Sequence, residues 1–126
     1  MLRSEPSVGA RLAAAIAAQD AAAIEACFAP AARFRALVPP GLREREGAAE
    51  IAALFASWYG DATEIVLVES HEGEVGDRVH VSFRFELVEG GMRYVVEQQL
   101  YTVVADGRFE RANLLCSGWR PLPTSG

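Results

Sequence analysis

A chain of 126 residues with 51% apolar and 23% charged residues reads as one globular domain, long enough to bury roughly two-thirds of its unfolded surface. Its formal charge of −5 speaks against nucleic acid, which needs a basic stripe, and against an anionic membrane surface. All 12 basic residues are arginine, and the lack of lysine excludes Schiff-base aldolase and pyridoxal chemistry.

Cys27 and Cys116 are the only cysteines. With no export signal apparent at the N-terminus, they are expected as reduced thiols in a cytoplasmic protein, although sequence leaves a disulfide open. No apolar run approaches the ~20 residues that span a bilayer.

Residues 1–6 and 122–126 are expected as frayed tails of a single domain covering residues 1–126. Ser4 or Ser7 caps a first helix, with Pro6 tolerated in its first turn. Val8, Leu12, Ala15 and Ile16 share one face of it. Asp20 caps a second helix, whose apolar face is Ile24, Cys27 and Phe28 and which Pro30 ends.

Arg33 to Val38 alternates and predicts a strand, stopped by Pro39-Pro40-Gly41. The run Arg43-Glu44-Arg45-Glu46 is expected as a solvated loop. Gly47 is a weak N-cap, with Glu50 as half of a capping box. Ile51, Leu54, Phe55 and Trp58 recur at helical spacing, and Gly60 is expected as a left-handed stop.

From residue 62 the period changes from 3.6 to 2. Thr63–Glu69 predicts a strand. Val79, Val81, Phe83, Phe85 and Leu87 alternate with polar residues, so one face of the next strand is buried. Gly90-Gly91 and Asp106-Gly107 are hairpin turns around a strand from Tyr94 to Val104, and Phe109–Trp119 is the last strand. The last three strands form an antiparallel meander.

Helix, helix, short strand, helix and four long strands is an order that resembles the nuclear transport factor 2-like superfamily. Asp20-Ala-Ala-Ala-Ile24 through Phe28-Ala-Pro-Ala-Ala-Arg-Phe34 is similar to that superfamily's entry motif. Glu46-Gly47 leading into Ile51-Ala-Ala-Leu-Phe55 resembles its third helix, and Asp106-Gly107-Arg108-Phe109 its hairpin. The resemblance covers roughly residues 7–121. It implies an α+β, cystatin-like cone, in which a curved antiparallel sheet wraps three N-terminal helices and leaves a pocket at the open end. Ketosteroid isomerases, SnoaL-like polyketide cyclases and limonene epoxide hydrolases share that cone.

Laid against ketosteroid isomerase, the general-base aspartate falls at Ala36, the oxyanion tyrosine near Leu12 and the protonated aspartate near Leu100. Enolisation needs a base and oxyanion donors, so aliphatic residues there speak against that reaction. The four aspartates, Asp20, Asp61, Asp77 and Asp106, sit at caps or turns and assemble no epoxide-hydrolase cluster.

Strand alternation, the third helix and the isomerase alignment together nominate a pocket lined by Phe34, Ala36, Phe55, Trp58, Phe83, Phe85, Tyr94, Gln98, Leu100 and Cys116. Val96, Thr102, Ala112 and Leu114 share its faces. Such a lining suits a hydrophobic or aromatic small molecule. Gln98 needs partners once buried: a ligand carbonyl or hydroxyl, a neighbouring backbone group, or water. Reversed parity would instead bring Glu97 inward as a candidate base. Cys116 has no histidine poised to activate it and reads as a packed thiol. His71 and Glu72 with Glu69 or Glu74 match no metal-ligand spacing, so neither metal nor cofactor is expected.

The opposite face carries Glu97, Gln99, Tyr101, Arg84, Glu86, His80, Arg111 and Asn113, dotted with Phe109, Leu115 and Trp119. The resemblance implies a homodimer through it. The function expected is small-molecule binding. The alternatives are a cofactor-independent isomerase, cyclase or hydrolase acting on such a molecule, and a structural or interaction dimer.

Overall fold

A computed structural model describes residues 7–122. Helices α1 (Val8–Ala17), α2 (Ala21–Ala26) and α3 (Ala48–Tyr59) lie against a sheet of strands β1 (Phe28–Val38), β2 (Gly41–Glu46), β3 (Glu64–Val75), β4 (Arg78–Glu89), β5 (Met92–Ala105), β6 (Arg108–Cys116) and β7 (Arg120–Pro121). The architecture is the α+β cone: a curved, unclosed sheet in the order β2-β1-β6-β5-β4-β3, with β7 on β5. It is mixed rather than wholly antiparallel, because β1 runs parallel to β6.

Local chemistry accounts for most boundaries. Ser7 accepts from the Ala10 N–H at 3.1 Å and Asp20 from the Ala23 N–H at 3.1 Å, so each of the first two helices starts at a side-chain cap. Ser4 and Pro6 lie outside the described residues, as do residues 1–6 and 123–126 of the expected tails; Leu122 donates its N–H to the Arg93 carbonyl at 2.9 Å. Asp106 and Gly107 have φ of 53° and 72°, and Gly90 and Gly91 58° and 80°, so both hairpins turn through left-handed pairs as their sequences predict.

Four local expectations need correction. The second helix ends at Ala26, before Pro30, and β1 begins at Phe28 rather than Arg33. Pro30 sits in the stretch between Phe28 and Arg33 where the β1–β6 register shifts, and its missing N–H is tolerated there. The charged run Arg43–Glu46 is not a loop: it lies in β2, an edge strand paired with β1. Alternating charge suits an edge that must not pair with another chain. Gly60 is right-handed at φ −65°, not left-handed; the left-handed glycine is Gly47 at φ 93°, where β2 turns into α3.

The remaining differences concern which way side chains face. The last strand stops at Cys116, and Gly118 at φ 80° redirects the chain so that Trp119 packs inward on Tyr59, with ring centroids 5.2 Å apart. A register shift between β5 and β6 at Val103/Val104 likewise turns Phe109 into the core against Phe28. Both residues were expected on the outer face; Leu115 does lie there, exposed. The β3 strand also runs on to Val75, past the expected end at Glu69.

The core sits between the helices and the concave face of the sheet, with Leu12 and Ile16 of α1 and Ile51 and Phe55 of α3 fully buried in it. Phe55 is fully buried, 5.4 Å from Phe34, 5.3 Å from Trp58 and 6.1 Å from Phe28. Tilted and edge-on contacts of this kind add to the burial of the rings themselves. Phe55→Ala is therefore expected to cost about 3–5 kcal/mol in urea unfolding. A loss under about 1 kcal/mol would mean that α3 does not dock through this ring.

Candidate functional site

The period-2 alternation of β4, β5 and β6 decides which side chains face the helices. Val81, Phe83, Phe85 and Leu87 on β4, Val96, Gln98, Leu100 and Thr102 on β5, and Ala112 and Leu114 on β6 are all buried. Glu97 points the other way. It accepts from Arg120 Nη2 at 2.7 Å and Arg84 Nη2 at 3.3 Å on the outer face. No carboxylate base therefore enters the interior from this strand.

The structure divides the ten candidate residues into two groups. Phe34, Ala36, Phe55, Phe83, Phe85, Gln98 and Leu100 are packed in the core with at most 3% of their surface exposed. Leu12, like Ala36 and Leu100, is a fully buried aliphatic residue. Trp58, Tyr94 and Cys116 instead open onto a cleft of about 730 Å³ at one end of the sheet.

Three parts of the fold build this cleft. The β1–β2 turn contributes Val38, Pro39 and Pro40, and β2 contributes Arg43 and Arg45. The last turns of α3 supply Leu54, Ser57 and Trp58, followed by Asp61. Glu89 and Tyr94 come from either side of the β4–β5 hairpin, and Cys116, Gly118 and Trp119 from the chain leaving β6. Gly118 is needed where it stands. A Cβ on it would lie 2.7 Å from Pro39 Cγ, and its φ of 80° disfavours any other residue. The β6 exit and the β1–β2 turn close on each other at this point.

Behind Cys116 lies a small polar cluster. Gln98 and Cys116 are cross-strand partners. Gln98 Nε2 donates to Cys116 Sγ at 3.4 Å, and the Gly118 N–H donates to the same sulfur at 3.4 Å. Gln98 Oε1 and the Tyr59 hydroxyl are both buried without a hydrogen-bond partner among the described residues. Tyr59 is held between Phe85 at 5.6 Å and Trp119 at 5.2 Å. Burial pushes its hydroxyl well above the usual tyrosine range, and the charge of a Cys116 thiolate adds to that. Thr102, the other buried polar side chain of β5, is satisfied by the Val79 carbonyl at 2.9 Å. Among the described residues, two of the three buried side-chain polar atoms without a partner thus lie at the Tyr59–Gln98–Cys116 corner; the third is Arg84 Nε on β4.

Tyr59 is absent from the sequence-based lining. The available signal was its place four residues after Phe55 and eight after Ile51, on the apolar stripe of α3. Cys27, by contrast, is a core thiol: burial raises its pKa, partly offset by Arg11, and it is not disulfide-bonded to Cys116. Glu69 on the outer face is held below the usual carboxylate range by its hydrogen bond and ion pair with His71. None of the described helices is long and apolar enough to cross a membrane.

Comparison with known proteins agrees with the fold. A family model for the SnoaL-like domain matches residues 10–112, and the chain belongs to that family. Among solved structures, a hypothetical protein with a ketosteroid isomerase-like fold from Catenulispora acidiphila, in complex with trimethylamine, superposes with a TM-score of 0.72 at 14% identity, covering 88% of this chain and 85% of that one. An LEH-like epoxide hydrolase from M. tuberculosis gives 0.67 at 17% identity, with 87% and 80% covered. Bal32a, from a soil-derived mobile gene cassette, gives 0.67 at 22% identity, with 88% and 87% covered. At these identities the likeness shows the fold alone. A search of curated proteins finds no match to this chain.

Replacing Gln98 by leucine removes a buried acceptor that has no partner. Gln98→Leu is expected to unfold in urea within about 1 kcal/mol of wild type, or to be more stable. A loss above about 2 kcal/mol would show that the amide is satisfied in the folded protein.

Proposed function

We propose that this SnoaL-like domain binds a small hydrophobic or aromatic molecule, without a cofactor, in the cleft between α3 and the β1–β2 turn. The observation that carries this reading is the pairing of aromatic walls with a polar corner. Trp58, Tyr94 and Trp119 line the cleft, and Cys116 in the same wall accepts from Gln98, whose Oε1, like the Tyr59 hydroxyl, is buried behind it without a partner among the described residues. An apolar cleft with a few convergent polar groups is the usual form of a small-molecule site. The groove of about 680 Å³ over β1, β2 and β6 supports ligand binding less well. Its arginines and glutamates lie side by side, and Arg35 and Glu44 already pair at 3.3 Å.

Binding is favoured over turnover because the two carboxylates of the cleft, Asp61 after α3 and Glu89 at the end of β4, lie at element ends, whereas the core-facing positions are aliphatic, aromatic, amide or hydroxyl. Core-facing positions are where a carboxylate would be desolvated and its basicity raised.

Cys116 supplies a built-in reporter. It is half-buried in the cleft, while Cys27 is 2% exposed. N-ethylmaleimide is expected to add once per chain, at Cys116. In a panel of hydrophobic ketones and aromatic compounds, those that bind by native mass spectrometry should slow this addition in proportion to occupancy. Ligands that bind while leaving the alkylation rate of Cys116 unchanged would place the site elsewhere. No binding across the panel at millimolar concentration would count against the function itself.

We also propose that the outer sheet face pairs two copies of the chain. Leu42, Leu37 and Leu115 are register neighbours across β2, β1 and β6, and all three are exposed, forming a short apolar row. Light scattering coupled to size exclusion is expected to report twice the monomer mass at micromolar concentration, and Leu37→Glu to report the monomer. A wild-type monomer would sink this assembly.

A further inference from the structure

The two strands that form one side of the cleft sort their charges by face. On the outer face of β1 and β2, arginine meets glutamate across the ladder: Arg33 is opposite Glu46, and Arg35 is opposite Glu44. On the inner face the partners are apolar, with Arg45 opposite Phe34 and Arg43 opposite Ala36. Both inner arginines line the cleft and are partly buried, and Arg45 also borders the groove over β1, β2 and β6.

Neither Arg43 nor Arg45 makes an ion pair within 4.0 Å among the described residues, although Asp61 and Glu89 line the same cleft. Each guanidinium spends one nitrogen on a nearby backbone carbonyl. Arg43 Nη1 donates to the Leu42 carbonyl at 3.2 Å, and Arg45 Nη1 to the Glu44 carbonyl at 2.7 Å. A guanidinium has five N–H donors, so most of each fork stays available, and the backbone contact limits its freedom. Edge protection accounts for charge on β2, and these two cations without carboxylate partners within 4.0 Å among the described residues are in addition free to take an anion in the cleft.

We infer that the cleft takes an aromatic carboxylate, its ring against Trp58 and Trp119 and its carboxylate on Arg43 and Arg45. This rests on the proposed small-molecule site and names the chemical class of its ligand. The planar fork of arginine matches a carboxylate with two parallel hydrogen bonds, and a neutral amide of the same shape forfeits the charge on them. The aromatic walls carry the apolar body of the ligand, as they would for any hydrophobic compound.

The test compares 2-naphthoate with 2-naphthamide by isothermal titration of the full chain. Wild type is expected to bind naphthoate about tenfold more tightly than naphthamide, as charge-assisted pairing allows. That preference should shrink as salt is raised, because partly exposed charges are screened. The double variant Arg43→Gln/Arg45→Gln should lose the preference and keep its affinity for naphthamide, whereas Arg35→Gln on the outer face should behave as wild type. Circular dichroism checks that each variant folds, and the salt series in wild type probes the same charge pairing without any substitution. Equal affinities in wild type, or a preference that survives the double substitution or high salt, would overturn the inference and leave the site intact. Failure of both compounds to bind would remove the site as well as the inference.

Discussion

The docking of α3 against the sheet through Phe55 is the contact on which the rest of this molecule depends. Phe55 meets Phe28 and Phe34 of β1 and its own neighbour Trp58, so one helix face fills the space that the curved sheet encloses. Because the interior is filled, open volume is displaced outward to the end of α3. There the helix offers Leu54, Ser57 and Trp58 to the β1–β2 turn and to the chain leaving β6. The cone is therefore a packed body with a cleft at its mouth, and the core and the cleft draw on adjacent turns of one helix.

That division also explains where the polar strain lies. A filled core tolerates Thr102, whose hydroxyl reaches a strand carbonyl, but it leaves Gln98 Oε1 and the Tyr59 hydroxyl without partners just behind the cleft. Unmet hydrogen bonds at the edge of a cavity are worth more to a ligand than to the empty fold. On the other side of the cleft, β2 keeps its glutamates outward and its arginines inward. The proposed ligand would thus meet aromatic rings, the Cys116 thiol and two guanidinium forks within one space, with Gln98 and Tyr59 packed behind Cys116.

Sequence pattern was a good guide wherever period and turn chemistry act locally. The helix of Ile51, Leu54, Phe55 and Trp58, the left-handed pairs Gly90-Gly91 and Asp106-Gly107, and the inward face of Val81, Phe83 and Phe85 follow from spacing alone. The SnoaL-like motifs around Asp20–Phe34 and Glu46–Phe55 carried the fold. Pattern misled where the chain departs from strict alternation. The register shift at Val103/Val104 turns Phe109 inward, and the bend at Gly118 does the same for Trp119. The charged β2 looked like solvent-facing loop because a four-residue charge run has no apolar face to betray its strand period. Its arginines are therefore not legible as cleft residues, whereas Tyr59, buried behind the cleft, was open to reading from the apolar stripe of α3. One edge of the cleft closes where Gly118 lets Pro39 approach, a long-range contact that no local window contains.

The central claim is that the ligand occupies the mouth of the cone and leaves the aromatic interior packed. The chain has two tryptophans, Trp58 and Trp119, and both line the cleft. A proton–nitrogen correlation spectrum during titration with 2-naphthoate reports on them directly through their two indole N–H signals. Both indole signals should move, together with the backbone amides of Cys116 and Gly118, while the amides of Phe83, Phe85 and Leu100 stay in place. Shifts centred on Phe83, Phe85 and Leu100, with still indole signals, would contradict this account and put the binding site inside the cone.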